Sequence, residues 1–552
     1  MAQNQRTLVF LLAILFVASA LRLYRLNEQS FWVDEFATAH LAVGNGYAVH
    51  RLPRNVVIEH PPDLFELKTA RPLQTLWYSE VEGHVPPLHL VLTRLWGELF
   101  GLGQSSLRLM SVLFSVAAIA VLFVVVRDLT GRAAPALWAA LLMALAGPQI
   151  QYAQEARNYS LLLLEGLGAA AALVRIERHG PSRLRAITLV ACVLAMALTH
   201  YFSLGAILAL AAYAAIRLRG RARRHAMACF AIAALLWGML GAPLALRHLK
   251  NRADPRATTF LRDDSRPGHA TRTLVRFAAL PVRFIAEPMT ASRAIALAGG
   301  VAYVLAVLLP LRAKRAGSAD GADGAGGAGG AGGAGGAGGA GGAGGADMLL
   351  WSLWLWLTVL PLLALDLARR TQHLEFIRYT LLASPALYAI LATMLADHAK
   401  PRMRHLVPAL AALACALALP AAYTAWWKPD WRALGRAIDV HVRPGDLVVF
   451  WGYDQDGNLV DDPNSSFYYT SFYRRKPLAG PTVLLVAPPD GPLPLNLPDA
   501  DRILVVTAGL RDVRAVMPGA RVTRRAFEPM AGALWQVDAT SSPAAEVIPR
   551  EP

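Results

Sequence analysis

Long apolar blocks separated by short basic turns constrain the fold of this chain more than any other sequence feature. The chain has 552 residues, of which 55% are apolar. A helix of about 20 apolar residues is long enough to cross the hydrocarbon core of a membrane. We predict about 11 such spans, at residues 7–26, 106–126, 133–151, 158–175, 184–200, 202–217, 226–246, 292–312, 348–366, 379–397 and 405–425. The sequence therefore predicts an all-α, multi-pass membrane protein.

The basic turns predict the orientation of these spans. Under this count the short cationic segments all lie on one side, at residues 127–132, 175–185, 217–225, 312–315 and 399–405. The positive-inside rule makes that side cytoplasmic, together with the N-terminus, and makes the opposite side the outer one. The first span has no small-residue cleavage site, so we expect it to remain as an anchor. Because the net charge of +16 is spread over these turns, we expect no nucleic-acid partner.

Composition divides the chain into a membrane domain at 1–425 and an outer domain at 426–552. The first outward loop, 27–105, is long enough to be functional. Residues 313–347 include a run of Ala-Gly-Gly triplets, which lacks the proline of collagen and is too rich in glycine for a stable helix, so we predict a flexible cytoplasmic linker. The outer domain has a helix-like segment at 433–440 and strand-like segments at 447–450, 482–487 and 503–507, which predict a small α/β fold.

Two adjacent carboxylates, Asp34 and Glu35, follow the first span among aromatic residues. The pattern predicts a short amphipathic helix with Ser30 as its cap, and both carboxylates lie in its first turn. One face of this helix would carry Phe36, His40 and Leu41. Most Asp-Glu pairs are simply solvated, but the outward position and the flanking Trp32 favour a catalytic role. A positioned aspartate can accept the proton of a hydroxyl while a bond to that oxygen forms.

Two arginines at the outer side have the chemistry needed to bind a phosphate. A guanidinium stays charged and can bind two phosphate oxygens at once. Arg378 precedes Tyr379 at the start of a predicted span, and Arg157 lies in the turn before Tyr159. The structural alternatives are snorkelling of Arg378 to the interface and an ion pair between Arg157 and Glu155.

The motifs together resemble those of bacterial membrane glycosyltransferases of the GT-C fold, glycosyltransferase family 39 type, related to protein O-mannosyltransferases and lipid A aminoarabinose transferases. The likeness covers about residues 1–430 and is carried by Trp32-Val33-Asp34-Glu35, Pro86-Pro87-Leu88, Leu107-Arg108-Leu109-Met110-Ser111, Gln151-Tyr152-Ala153-Gln154-Glu155-Ala156-Arg157-Asn158-Tyr159 and Arg378-Tyr379. The outer domain matches only in Pro429-Asp430-Trp431-Arg432 and Pro444-Gly445-Asp446.

This resemblance implies a reaction. A sugar would pass, with inversion, from a polyprenyl phosphate-linked donor to an envelope glycan, lipid or protein acceptor at the periplasmic face of the bacterial inner membrane. Asp34 would take the acceptor proton, with Glu35 beside it in the catalytic site as an orienting or acceptor-binding neighbour. Substrate contacts would come from Arg378, Tyr379, Arg157, Glu155, Tyr159 and His84. His84 departs from the family pattern, because Val85 separates it from the prolines.

Two other functions remain open at this point. A polytopic transporter or lipid flippase would line its path with charges in mid-membrane, whereas the notable charges here lie at one surface. A ligase or polymerase would use a diphosphate-linked donor instead. The acidic residues at 454–456 and 461–462 are typical of a solvated loop, so we expect no metal and no cofactor.

Overall fold

The computed structural model describes residues 2–44, 52–78, 86–244, 246, 261–262, 267–287, 343–396, 401–424, 428–452, 463–475, 478, 480–486, 502–508, 522–526 and 532–537. The predicted span 292–312, most of the predicted linker and His84 lie outside these residues. The chain forms two compact units. The first contains Met1–Arg25 and Arg108–Trp426, and the second contains Leu26–Leu107 and Trp427–Pro552.

The first unit is helical. Its helices are Ala2–Leu23, Ala133–Leu145, Gly147–Ala153, Tyr159–His179, Arg183–Thr199, Leu204–Arg217, Gly220–Leu240, His269–Ala286, Ala343–Arg369, Ser384–Thr393, Pro401–Arg404 and Leu406–Thr424, and the helix Gln104–Thr130 enters it from the second unit. Short 3₁₀ turns at Tyr201–Ser203, His373–Glu375, Ile377–Tyr379 and Leu381–Ala383 connect several of them.

Five described helices are long and apolar enough to cross a membrane, namely Gln3–Leu23, Gln104–Thr130, Tyr159–His179, Met348–Arg369 and Leu406–Thr424. A sixth span results if Ala133–Leu145 and Gly147–Ala153, which meet at 60°, are counted as one. The predicted spans 202–217 and 379–397 coincide with shorter apolar helices, Tyr201–Arg217 and Leu381–Thr393. The helices fit a multi-pass membrane protein, and the number of 11 spans stays a prediction.

The helices of this unit pack closely because small residues lie where two of them meet. A Cβ added at Gly205 would collide with the backbone carbonyl of Leu357, so the helix Leu204–Arg217 lies directly against Ala343–Arg369. Trp351 and Trp354 of the latter helix are fully buried, and the Trp354 indole donates to the carbonyl of Leu382 at 2.7 Å. The Trp354 side chain thereby ties the helix Ala343–Arg369 to the 3₁₀ turn Leu381–Ala383.

The second unit combines helices with one mixed sheet. Its helices are Val33–Val43, Thr75–Tyr78, Leu88–Phe100, Trp431–His441 and Pro463–Tyr473, and its strands are β1 (Val57–Ile58), β2 (Leu447–Gly452), β3 (Thr482–Val486), β4 (Ile503–Ala508), β5 (Val522–Ala526) and β6 (Gly532–Val537). The strand order is β1-β3-β2-β4-β6-β5, with β3, β2 and β4 parallel and the other pairs antiparallel. All six residues of β2 are buried, as expected of a parallel strand covered on both faces.

The first loop and the C-terminal segment share this unit. Val57 and Ile58 of the loop pair with Val483 and Thr482 of β3, so a strand from the loop completes one edge of the sheet. The helix and the three strands predicted from the C-terminal sequence are present with shifts of only one or two residues at their ends. Their association with residues 26–107 was not visible in the sequence.

Candidate functional site

The helix that presents Asp34 begins at Val33, with Trp32 at the N-cap. Asp34 lies in the first turn and is half-buried, while Phe36, His40 and Leu41 are buried, as the amphipathic pattern predicts. The Thr38 hydroxyl donates to the carbonyl of Asp34 at 3.0 Å. The helix ends at Gly44, whose positive φ of 84° suits glycine. Asp34 is therefore held on a short, defined helix.

Glu35 is completely buried and bonded on two sides. One carboxylate oxygen, Oε2, accepts from the backbone N–H of Trp32 at 2.9 Å and from the Lys428 ammonium at 2.9 Å. The first contact caps the helix, and the second neutralises a charge that would be costly to bury alone. Of the two roles predicted for Glu35 from the sequence, orienting Asp34 or binding the acceptor, this geometry favours the orienting role, which stays a prediction.

Ser30 does not cap the helix, contrary to the sequence prediction. Its hydroxyl donates to Oδ1 of Asp430 at 3.0 Å and accepts from the backbone N–H of Arg432 at 3.2 Å. Asp430 is itself the N-cap of Trp431–His441, because its Oδ1 accepts from the backbone N–H of Ala433 at 3.1 Å. Two residues therefore separate Ser30 from the true helix start, and the cap was mistaken because Ser30 bonds a distant segment instead.

In the other unit, Arg378 and Tyr379 lie in a 3₁₀ turn. The guanidinium of Arg378 lies over the rings of Phe376 at 4.9 Å and Tyr379 at 5.1 Å, and its Nη2 is 3.4 Å from the Tyr379 hydroxyl. Both side chains are partly exposed. Arg378 and Tyr379 therefore present a guanidinium and a hydroxyl side by side, as their adjacency in the sequence predicts.

Asp366, at the end of a predicted span, organises the segment that leads to Arg378. Its Oδ1 accepts from the Thr371 hydroxyl at 2.6 Å, from the backbone N–H of His373 at 2.9 Å and from the His373 ring at 2.7 Å. Its Oδ2 accepts from the backbone N–H of Leu374 at 2.9 Å. One fully buried carboxylate thus accepts four hydrogen bonds from three residues of the turn. Sequence reasoning missed it, although a carboxylate in an apolar helix is a signal.

Arg283 also holds this segment in place. Its guanidinium donates to the carbonyls of Leu374 and Glu375, each at 2.6 Å, and pairs with Glu287 at 2.5 and 2.7 Å. A planar guanidinium that bonds both a carboxylate and two backbone carbonyls is held in one orientation. Arg283 therefore fixes the position of the turn that contains Leu374 and Glu375. Arg283 was also missed, because it lies in a loop that the sequence placed outside the membrane without structure.

Arg157 and Tyr159 are presented by the turn that follows Gly147–Ala153. The backbone N–H of Arg157 donates to the carbonyl of Glu155 at 2.8 Å, and the amide of Gln154 donates to the carbonyls of Arg22 at 3.0 Å and Tyr24 at 2.7 Å. Glu155 and Tyr159 are buried, and Arg157 is partly exposed. The turn is therefore tied to the end of the first helix.

A third turn brings His200 to the same cavity as Arg378. The cavity is small and is lined by Tyr159, Leu162, His200, Phe202, Arg378, Tyr379, Leu381 and Leu382. The turn is held because the Asn158 amide donates to the carbonyl of Thr199 at 2.9 Å and the Thr199 hydroxyl donates to Glu165 at 2.9 Å. Sequence reasoning assigned His200 no role.

His200 stays neutral in this setting. Burial, followed by the nearby charges of Arg157 and Arg378, lowers the pKa of His200 to about 4. Its Nδ1 accepts from the backbone N–H of Phe202 at 3.1 Å, so the proton of the neutral ring lies on Nε2. A neutral imidazole with a fixed tautomer can donate one hydrogen bond, and it adds no charge to the two arginines beside it.

The predicted site residues thus fall into two groups. Arg157, Tyr159, Arg378 and Tyr379 belong to the helical unit, whereas Asp34 and Glu35 belong to the unit with the sheet. His84 lies outside the described residues. Within the described part of the chain, no cluster of three or more His, Cys, Asp or Glu has the arrangement of a metal site.

One protein-family model matches part of the chain. Residues 84–243 match the model of the dolichyl-phosphate-mannose-protein mannosyltransferase family. No curated protein matches the chain. Among solved structures, ArnT from Cupriavidus metallidurans bound to undecaprenyl phosphate is similar at 15% identity and a TM-score of 0.43, over 98% of this chain and 99% of that one. AglB, an oligosaccharyltransferase from Archaeoglobus fulgidus in complex with an inhibitory peptide and a dolichol-phosphate, is similar at 12% identity and a TM-score of 0.45, over 86% and 61%.

The family match falls on the part of the chain that carries several of the quoted motifs. It includes Pro86-Pro87-Leu88 and the turn from Gln151 to Tyr159, which presents Arg157. The described apolar helices suit a membrane enzyme of this kind. The match confirms the resemblance to membrane glycosyltransferases of the GT-C type that the sequence motifs predict.

Proposed function

We propose that this protein transfers a sugar from a polyprenyl phosphate-linked donor to an acceptor at the periplasmic face of the bacterial inner membrane, with inversion at the anomeric carbon. The observation that carries the proposal is the cavity where Arg378, Tyr379, Tyr159 and the neutral His200 meet, with Arg157 near enough to His200 to interact with it electrostatically. The name of the family matched over 84–243 supports a donor in which a sugar is linked to a lipid phosphate.

The cationic cavity suits the leaving group of this reaction. As the bond between the anomeric carbon and the phosphate oxygen breaks, its electron pair stays on the phosphate, which gains negative charge. Fixed donors aimed at developing charge lower the barrier without reorganising during the reaction. Arg378 and Arg157 supply positive charge, and Tyr379 and His200 add neutral donors, so polyprenyl monophosphate is the product that this cluster would stabilise.

Asp34 suits the acceptor side of the reaction. The acceptor hydroxyl oxygen forms the new bond to the anomeric carbon, and its proton passes to the Asp34 carboxylate. A carboxylate is too weak a base to deprotonate a free hydroxyl, but it can accept the proton while the glycosidic bond breaks. Glu35, which caps the helix that presents Asp34 and pairs with Lys428, would hold that helix in position.

The test is sugar transfer by the purified full-length protein from a radiolabelled polyprenyl phosphate sugar to envelope lipid and glycan extracts. Arg378→Met should lower the rate by about 10²–10³-fold, the usual cost of removing one transition-state donor. The matched control is Arg369→Met, an exposed arginine that ends the helix Ala343–Arg369, and it should retain the wild-type rate.

Three outcomes would contradict the proposal. Movement of a lipid-linked sugar across proteoliposomes without transfer would indicate a transporter or flippase. Transfer only from a diphosphate-linked donor would indicate a ligase or polymerase. Equal rates of sugar transfer for wild type and Arg378→Met would show that this cavity takes no part in the reaction.

A further inference from the structure

A second, larger cavity lies within the unit that contains Asp34. It has a volume of about 390 Å³, and its walls include Asn27, Phe65, Gln104, Arg432, Phe472 and Tyr473. Sites for small organic ligands usually have volumes in this range and combine aromatic walls with a few placed polar groups. None of these residues has a role in the chemistry described above.

One wall of this cavity is aromatic. The rings of Phe65 and Phe472 meet edge to face at 5.0 Å, and those of Phe472 and Tyr473 meet edge to face at 5.1 Å. All three side chains are only half-buried, so their apolar surfaces remain open to the cavity. Such a surface matches the C–H face of a sugar ring, which is apolar while its rim carries hydroxyls.

The polar groups beside this wall are fixed. The buried amide of Gln104 accepts from the Tyr473 hydroxyl at 2.6 Å and donates to the carbonyl of Gln29 at 2.8 Å. The Tyr473 hydroxyl in turn accepts from the backbone N–H of Phe31 at 2.6 Å. Both groups are therefore oriented before any ligand arrives, which lowers the entropy cost of binding.

Arg432 supplies a positive charge that the protein holds only weakly. Its guanidinium makes long contacts to the carbonyl of Glu28 at 3.4 Å and to Gln104 at 3.5 Å, and it lies 5.7 Å from the Tyr473 ring centre. Its buried Nε has no hydrogen-bond partner among the described residues. A guanidinium with unused donors at a cavity wall is suited to a carboxylate or a phosphate.

We propose that this cavity binds a saccharide bearing a carboxylate or phosphate group, and that this anionic saccharide is part of the acceptor in the proposed transfer. The proposal rests on the proposed function. The cavity is linked to the acceptor-side base, because Tyr473 bonds Phe31 and the backbone of Arg432 bonds Ser30, both just ahead of Asp34. The aromatic wall would pack against the sugar ring, and the Arg432 guanidinium would bind the carboxylate or phosphate group of the saccharide.

The test is equilibrium binding to the full-length protein in detergent, measured by saturation-transfer NMR with glucuronate, glucose 6-phosphate, glucose and inorganic phosphate. Glucuronate and glucose 6-phosphate should both bind, and glucose and phosphate should each bind at least about tenfold more weakly. Arg432→Met should weaken both anionic sugars about tenfold or more. Arg436→Met, at an exposed position one turn further along the same helix, should change nothing.

Further variants separate this site from the phosphate cluster and from the reaction. Phe472→Leu should weaken glucuronate, while Arg378→Met and Asp34→Asn should leave its binding unchanged. Loss of glucuronate binding in Arg378→Met but not in Arg432→Met would overturn the inference, as would equal binding of glucose and glucuronate. Absence of sugar transfer by the wild-type protein from every polyprenyl monophosphate donor tested would overturn the proposed function and leave the binding result standing.

Discussion

Two regions, one in each unit, hold their charges differently. Around His200 in the helical unit, Arg157 and Arg378 lie near a neutral imidazole, and Tyr159 and Tyr379 line the same cavity as Arg378. In the unit with the sheet, Glu35 lies 2.9 Å from the Lys428 ammonium, and Asp446 pairs with Arg502. The first region brings two cations to one imidazole, whereas each of these two carboxylates has its own cationic partner.

This contrast distinguishes a place suited to binding an anionic ligand from charge pairs that maintain the structure. Paired buried charges contribute to a unique geometry and have little capacity left for a ligand. A group of like charges in a partly enclosed place is unfavourable by itself, and it becomes favourable when an anion binds. We infer that the helical unit binds the anionic donor, and that the paired charges of the other unit keep the helix of Asp34 in position.

The largest effect is expected at Asp34. Asp34→Asn keeps the size and polarity of the side chain but cannot accept the proton, so sugar transfer should fall by about 10²–10⁴-fold. Folding, followed by thermal unfolding, should be unchanged, because the helix is capped by Glu35 and not by Asp34. A rate within a few-fold of wild type would show that Asp34 is not the base.

The ion pair of Lys428 should be the next most sensitive feature. Glu35 and Lys428 have side chains only 0% and 11% exposed, so Lys428→Met leaves a buried charge without its partner and should cost about 3–5 kcal/mol in the free energy of unfolding. Chemical denaturation measures this cost. The double variant Glu35→Gln, Lys428→Met should recover much of the lost stability, and failure to do so would show that the pair is not coupled.

Asp366 should show a smaller, more local effect. Asp366→Asn weakens the hydrogen bonds to the backbone N–H groups of His373 and Leu374, and charged hydrogen bonds are worth about 1.5–3 kcal/mol. Hydrogen exchange of these two amides should therefore be faster than in wild type. Asp128→Asn is the matched control, because its pair with Arg175 is exposed and should contribute little. Unchanged exchange in Asp366→Asn would contradict the assignment.

The smallest effect concerns pH. The pKa of His200 is about 4 in the folded protein, below its ordinary value of about 6.5. The unfolded chain therefore binds a proton before the folded one, and stability should fall as the pH drops from about 6.5 towards 4. The melting temperature of His200→Gln should depend less on pH in this window. Parallel curves for the two proteins would exclude His200 as the cause.

The sequence predicted the parts that depend on local pattern. Hydrophobic periodicity located the helix of Asp34 and the α/β segments after residue 426, and adjacency in the chain located Arg378 beside Tyr379. The cap at Ser30 was wrong, because its hydroxyl bonds Asp430, 400 positions away in the chain. Local rules assign a serine before a helix to capping and carry no information about a distant competitor for its hydroxyl.

The supporting residues were the hardest to predict. Asp366 and Arg283 fix the turn before Arg378 through backbone carbonyls and N–H groups, and a backbone partner leaves no pattern in side-chain sequence. The strand β1 was missed for a related reason, because two residues are too short for a period-2 signal. Pairing with β3 across more than 400 positions decides its conformation.

The most direct test of the division of labour is binding of polyprenyl monophosphate, the proposed product, to the full-length protein, measured by ³¹P NMR in detergent. We predict that wild type and Asp34→Asn bind it equally, and that Arg378→Met binds it at least about tenfold more weakly. The Arg369→Met control should match wild type. Equal binding by Arg378→Met and wild type would contradict the account, because the cationic cavity would then not be where the lipid phosphate binds.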